Sequence, residues 1–231
     1  MKKRIKVLEN GPYHVSGRIP LSKEVIGADD AGNSVEWKKG ERFPDKDSYD
    51  LCRCGGSCNK PYCDGSHSET GFIGLESASR ELYRDQAAET DGPALSLTDA
   101  EILCAAARFC HNKVGRVWEL TEASDDPKAR KEAVKQACDC PSGRLVVWDK
   151  KSGEAIEPKL AQSISLIEDP PRKVSGPLWV KGKIPIESAD GIVYELRNRV
   201  TLCRCGKSNN KPFCDGAHIS CNFSDGDESL Q

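Results

Sequence analysis

A sixteen-residue stretch, Cys52-Arg-Cys-Gly-Gly-Ser-Cys-Asn-Lys-Pro-Tyr-Cys-Asp-Gly-Ser-His67, returns as Cys203-Arg-Cys-Gly-Lys-Ser-Asn-Asn-Lys-Pro-Phe-Cys-Asp-Gly-Ala-His218. The copies align without a gap at an offset of 151 residues, Cys on Cys and His on His. Each brings three thiols (Cys52, Cys54 and Cys63; Cys203, Cys205 and Cys214) and one imidazole (His67; His218) into one short segment. The intervening Gly, Asn, Ser and Pro form turns, so neither stretch is a packed strand or a long helix. Four soft donors on so short a loop define a metal site. Softness alone admits zinc, copper(I) or an iron–sulfur cluster. Cys63 and His67, like Cys214 and His218, share a face if Asp-Gly-x-His opens a helix, with Asp64 and Asp215 as natural N-caps.

Both stretches resemble the CDGSH iron–sulfur family, whose pattern is C-x-C-x2-(S/T)-x3-P-x-C-D-G-(S/A/T)-H. Ser57, Pro61, Asp64 and Gly65 complete it in the first copy, and Ser208, Pro212, Asp215 and Gly216 in the second. The resemblance implies one [2Fe–2S] cluster per copy, held by three Cys and one His. The spacing by itself leaves a structural zinc loop open.

The repeat extends beyond the loops. Gly11-Pro-Tyr-His-Val-Ser-Gly-Arg-Ile-Pro-Leu21 matches Gly176-Pro-Leu-Trp-Val-Lys-Gly-Lys-Ile-Pro-Ile186 at an offset of 165, so a β-rich segment leads into the ligands in both halves. The offsets differ by 14, which places an insertion in the first copy, expected as an exposed loop within the polar stretch Asp29 to Lys46. His14 lies opposite Trp179, Cys58 opposite Asn209 and Cys221 opposite Thr70. A site that works in both copies requires none of these. Of the twelve cysteines, Cys104, Cys110, Cys138 and Cys140 remain.

Those four sit in a middle module. Thr98 to Glu101 reads as a capping box for a helix through Cys110, and Asp126-Pro127 as the start of a second helix to about Ala137. Cys138 to Gly143 then reads as a turn and Arg144 to Asp149 as a strand. The segment resembles divergent single-cluster ferredoxin-like modules with C-x5-C followed by C-P-S-G, although a His and a Gly common there are Ala106 and Arg108 here. The resemblance implies a third cluster, [4Fe–4S] or [3Fe–4S], on Cys104, Cys110, Cys138 and Cys140, with His111 competing with Cys138 for the fourth place. A zinc site or ordinary buried thiols are the alternatives.

Charged residues make up 30% of the chain and hydrophobic ones 37%, so the apolar core is modest and metal centres can supplement it. A net charge of −2 without a concentrated basic face argues against nucleic acid. No apolar run is long enough for a membrane span, and no secretory signal is visible, so a cytoplasmic location is expected. The thiols are then read as ligands, not disulfides.

The expected fold is α+β, with two β-rich CDGSH-type halves flanking a small ferredoxin-like α/β insert. The expected parts are a first domain at 1–72, a linker at 73–95 and the cluster module at 96–150. A connector at 151–172, a second domain at 173–223 and a fraying acidic tail at 224–231 follow. The repeat suggests an intrachain pseudo-dimer of the two halves. No phosphate loop, nucleophile elbow or metalloprotease motif is present, so no enzyme is expected. The expected function is electron transfer or redox sensing, with a redox partner or an apo-acceptor of clusters as partner. Cluster storage or donation and a zinc-stapled adaptor are the alternatives.

Overall fold

The computed structural model describes residues 2–231. Its first part comprises β1 (Arg4–Val7), β2 (Tyr13–Ser16), β3 (Leu21–Ala28), β4 (Ser34–Arg42), β5 (Ser48–Leu51) and a one-turn helix α1 (Ser66–Glu69). Alternation in β1 buries Ile5 and Val7 and leaves Arg4 outside. The 14-residue insertion is not a loop. It forms most of β4, which pairs antiparallel with β3 and seats Trp37 opposite Ile26. Val35 and Trp37 alternate with charged residues, which suits an edge strand with one protected face.

The middle comprises α2 (Tyr83–Gln86), β6 (Ala88–Asp91), β7 (Leu95–Asp99), β8 (His111–Asn112) and β9 (Gly115–Arg116). It continues with α3 (Val117–Glu122), α4 (Pro127–Asp139), β10 (Leu145–Asp149) and β11 (Ala155–Ile156). Strands β6, β7, β10 and β11 form an antiparallel sheet, so the expected linker at 73–95 already contributes α2 and β6. Leu97, Leu145 and Val147 of the sheet pack on Val117 of α3 and Ala137 of α4. Asp126 caps α4 as its sequence predicts, accepting from the backbone amides of Lys128 and Ala129.

The helix expected through Cys110 does not form. Thr98 belongs to β7, only a 3₁₀ turn spans Glu101–Leu103, and Ala106 and Arg108 have φ of 54° and 64°. A run of good helix formers is overridden here, and the resulting irregular segment brings Cys104 and Cys110 to one cavity.

The last part comprises β12 (Ser163–Asp169), β13 (Val174–Lys181), β14 (Ile186–Glu187), β15 (Arg199–Leu202) and a one-turn helix α5 (Ala217–Ser220). The expected connector therefore contains β12, almost wholly buried and central in its sheet. Sheet order explains why. Strands β1-β2-β5 and β12-β13-β15 are equivalent antiparallel trios. Each is extended in parallel by a strand of the other half: β14 pairs with β1 (Ile5 opposite Ile186), and β3 pairs with β12 (Ile164 opposite Leu21). The two halves thus exchange strands. Ile5, Val15 and Leu21 share one core with Leu166, Val180 and Ile186. The molecule is β-rich with few helices, compatible with an α+β class.

The acidic tail does not fray. Asp225 pairs with Arg204, Asp227 pairs with Lys23 at 2.6 Å, and Leu230 is buried at the end of a 3₁₀ turn. No helix among the described residues is long and apolar enough to cross a membrane.

Candidate metal centres

The repeated loops are built alike. The Cys52 amide donates to the Pro61 carbonyl and that of Cys63 to the Asp50 carbonyl, both at 2.9 Å; Cys203 to Pro212 and Cys214 to Thr201 repeat the distances. The Ser57 hydroxyl donates to the Tyr62 carbonyl (2.7 Å) and accepts from the Asn59 amide (3.0 Å), as Ser208 does with Phe213 and Asn210. Asp64 accepts from the amides of Cys58 and Ser66, and Asp215 from those of Asn209 and Ala217. Each Asp thus ties both arms of its loop, one residue ahead of the glycine that begins the turn. Those glycines, Gly65 and Gly216, have φ of 94° and 87°, a region that other residues occupy at a cost. The motif's Ser, Asp and Gly are the residues that close this loop.

Closure brings the donors together in two pairs. The Sγ atoms of Cys52 and Cys54 are 3.7 Å apart, and the Nδ1 of His67 is 3.3 Å from the Sγ of Cys63. The second loop gives 3.6 Å for Cys203 and Cys205 and 3.5 Å for Cys214 and His218. All cysteines are free thiols. Cys58 and Cys221 are exposed and outside both donor sets, and His14 pairs with Asp50 at 2.8 Å.

The two sites differ in surroundings. All four donors of the second are buried, whereas Cys54, Cys63 and His67 are partly exposed. Burial pushes His218 down to about 4 and the Cys214 thiol well up, and it also raises the thiols of Cys52 and Cys63. A hydrogen bond from Cys205 instead lowers Cys203 to about 6. A cation bound here would displace thiol protons, so its affinity would weaken as the pH is lowered.

Of the four middle thiols, three converge. Cys104, Cys110 and Cys140 line one cavity with Phe109 and Arg144. Burial first, then the charges of Cys140 and Cys104, push Cys110 up to about 11. Arg144, held by Asp99, brings a positive charge to this cavity. Cys138 lies apart, on the α4 face toward β11, with its Sγ 3.6 Å from the Ile156 carbonyl. The Nδ1 of His111 is 3.6 Å from the Cys110 Sγ.

The three sites adjoin. A Cβ placed on Gly55 would lie 2.7 Å from the Cys205 carbonyl oxygen, and one on Gly206 would run into that of Cys54. The cysteine loops therefore touch through their glycines. On its other side the second loop meets the middle site: a Cβ on Gly216 would lie 3.4 Å from the Cys104 carbonyl oxygen.

Sequence reasoning passed over the arginine between the paired cysteines, Arg53 and Arg204, although it stands in both copies. Both are fully buried, and both reach the backbone just ahead of β2 or within β13.

Residues 10–68 and 175–219 match the family described as iron-binding zinc finger, CDGSH type, and residues 90–150 match the divergent 4Fe-4S mono-cluster family. The chain therefore carries two CDGSH-type regions flanking a divergent 4Fe-4S mono-cluster region. These are iron–sulfur families, and the thiol-rich donor sets fit such cofactors. Comparison with curated proteins and with solved structures gave no match.

Proposed function

We propose that this chain is a one-electron iron–sulfur carrier or redox sensor. Cys52, Cys54, Cys63 and His67 would hold one [2Fe–2S] cluster, and Cys203, Cys205, Cys214 and His218 a second. Cys104, Cys110 and Cys140 would hold the third. Three thiols suit a [3Fe–4S] centre, or a [4Fe–4S] centre with a non-cysteine fourth ligand, for which His111 is the nearest imidazole. Such clusters supply reversible uptake of single electrons, and replacing one thiolate by a neutral imidazole raises the potential.

The observation that carries this reading is the contiguity of the sites. Loop one touches loop two through Gly55 and Gly206, and loop two touches the middle site at Gly216. Three donor sets in one line favour electron movement over three independent staples. The partner is then a redox protein, and no catalytic role is assigned to any residue. Cluster donation to an apo-acceptor is the second reading, favoured by the partial exposure of Cys54, Cys63 and His67.

Iron, acid-labile sulfide and zinc per chain, measured on anaerobically purified protein, test this reading. About eight irons, or about seven with a three-iron centre, are expected. Cys138→Ser should keep that content, and Cys140→Ser should lose the middle irons alone. Zinc in place of iron would sink the redox reading and leave a stapled adaptor.

A further inference from the structure

The arginines of the two Cys-Arg-Cys segments occupy equivalent places. Arg53 donates from Nε to the Gly11 carbonyl (2.8 Å) and from Nη2 to that of Leu8 (3.1 Å). Arg204 donates from Nε to the Gly176 carbonyl (2.6 Å) and from Nη2 to that of Ile167 (2.9 Å). Gly11 and Gly176 are counterparts in the repeat, and Leu8 and Ile167 each stand one residue past the register counterparts Val7 and Leu166. Each guanidinium also lies near one counterpart ring, Phe72 at 5.2 Å or Phe223 at 5.5 Å.

Their counter-charges are not equivalent. Arg204 donates to Glu168 Oε1 at 2.6 Å and pairs with Asp225. Arg53 makes no ion pair among the described residues, and its Nη1 is buried without a hydrogen-bond partner. The difference is written in the chain. By strand register, two residues past the counterparts Val7 and Leu166, Glu168 corresponds to Glu9, which is exposed, and at the loop offset of 151 Asp225 corresponds to Gly74. A Cβ at Gly74 would collide with the Arg53 guanidinium, so no acidic side chain fits there without a shift. The first site therefore sits beside an uncompensated buried cation. At the equivalent place the second has one buried cation and two carboxylates; the Arg108–Asp169 pair near His218 is balanced, and Arg172 is exposed and screened by solvent.

We propose that these buried charges split the two CDGSH-type sites in reduction potential, with Glu168 and Asp225 holding the second site below the first. This rests on both loops carrying clusters. Reduction adds negative charge, which a bare Arg53 favours and the Glu168–Arg204–Asp225 group opposes. Potentials respond to net charge and solvent exposure, and the greater exposure of the first site acts in the same direction. The adjoining middle site, a further anionic neighbour, also lowers the second. Asp50 near Cys63 opposes this order, but it is about half exposed and paired with His14, so solvent screens it more than the buried groups. In the half-reduced protein the electron then resides at the first site.

Glu168 faces Arg204, Asp225, the Ser175 hydroxyl and Asp227, the last paired with Lys23. Its carboxyl is pushed up to about 7, mainly by burial, so the measurement belongs at pH 8, where it is ionised. Spectroelectrochemical titration of the full-length loaded protein should give two separate [2Fe–2S] waves. His67→Cys, which shifts or abolishes one wave, should identify the upper wave as the first site. Glu168→Gln and Asp225→Asn should each raise the lower wave and leave the upper one in place, and Arg53→Gln should lower the upper one. A single wave for both sites, an upper wave belonging to the second site, or a Glu168→Gln protein with unmoved waves overturns the proposal alone. A chain that takes up zinc and no iron overturns the underlying reading as well.

Discussion

Glu168 is a carboxylate in an environment that opposes its charge. It has no solvent exposure, and one carboxylate oxygen, Oε2, has no partner. Burial pushes its pKa from 4.5 to about 7, against the pull of Arg204. Below about 4.5 the carboxyl is protonated in both the folded and unfolded chain. As pH rises from there through 7, the unfolded chain loses its proton first, so the folded state becomes progressively less stable. A shift of this size corresponds to about 3 kcal/mol once the pH exceeds 7. Glu168→Gln has no proton to lose. Its stability relative to the parent chain should therefore climb by that amount between pH 4.5 and 8, as read from urea midpoints across the range. Parallel stability curves for the two proteins would show that Glu168 titrates in the folded state as it does in water.

At the scale of elements, the cysteine loops were legible and much of the scaffold was not. Loop chemistry is local. Ser57 and Asp64 bind backbone within six residues of themselves, so the motif carries its own geometry. Asp126-Pro127 likewise announces α4 within its first turn. β12 was hidden because its character depends on β3, a partner far away in sequence that only the strand exchange supplies. Ala105 to Arg108 misled in the opposite sense, since alanine propensity says helix while positive φ values at Ala106 and Arg108 aim the thiols inward. Cys138 and Cys140 are two residues apart, yet one side chain leaves the end of α4 toward β11 and the other turns into the cavity. Spacing alone does not separate them.

The contact between the two loops can be tested at this scale. Gly55 has φ of 79°, and a Cβ there would stand 2.7 Å from the Cys205 carbonyl oxygen. Gly55→Ala should cost about 1–3 kcal/mol from the left-handed conformation alone, and the collision adds to it. Because the obstructing backbone belongs to the other loop, loss of visible cluster absorption on heating should accelerate at both sites. Acceleration confined to the first site would mean that the loops yield independently.

For the whole molecule, the exchange of strands decides what counts as a folding unit. A break between residues 72 and 160 looks harmless in sequence, since each side keeps its own Cys-His loop. In the fold it removes β14 from the edge of β1 and β3 from the edge of β12. It also divides a core in which Ile5 and Val15 pack with residues such as Leu166 and Val180. Each fragment would expose apolar surface at roughly 25 cal/mol per Å², as well as an unpaired strand edge. Residues 1–72 and 160–231, the second of which keeps β12, produced separately should therefore show no cooperative thermal transition, and mixing them should restore one. A nick at the exposed tip of the β3–β4 hairpin, near Ala31, should leave the transition intact, because both strands stay paired on either side of it. A cooperative transition in isolated 1–72 would show that the half is self-sufficient and that the exchange merely docks two finished domains. That outcome would also remove the reason for the two loops to be held in contact, and with it the basis for treating the three sites as one path.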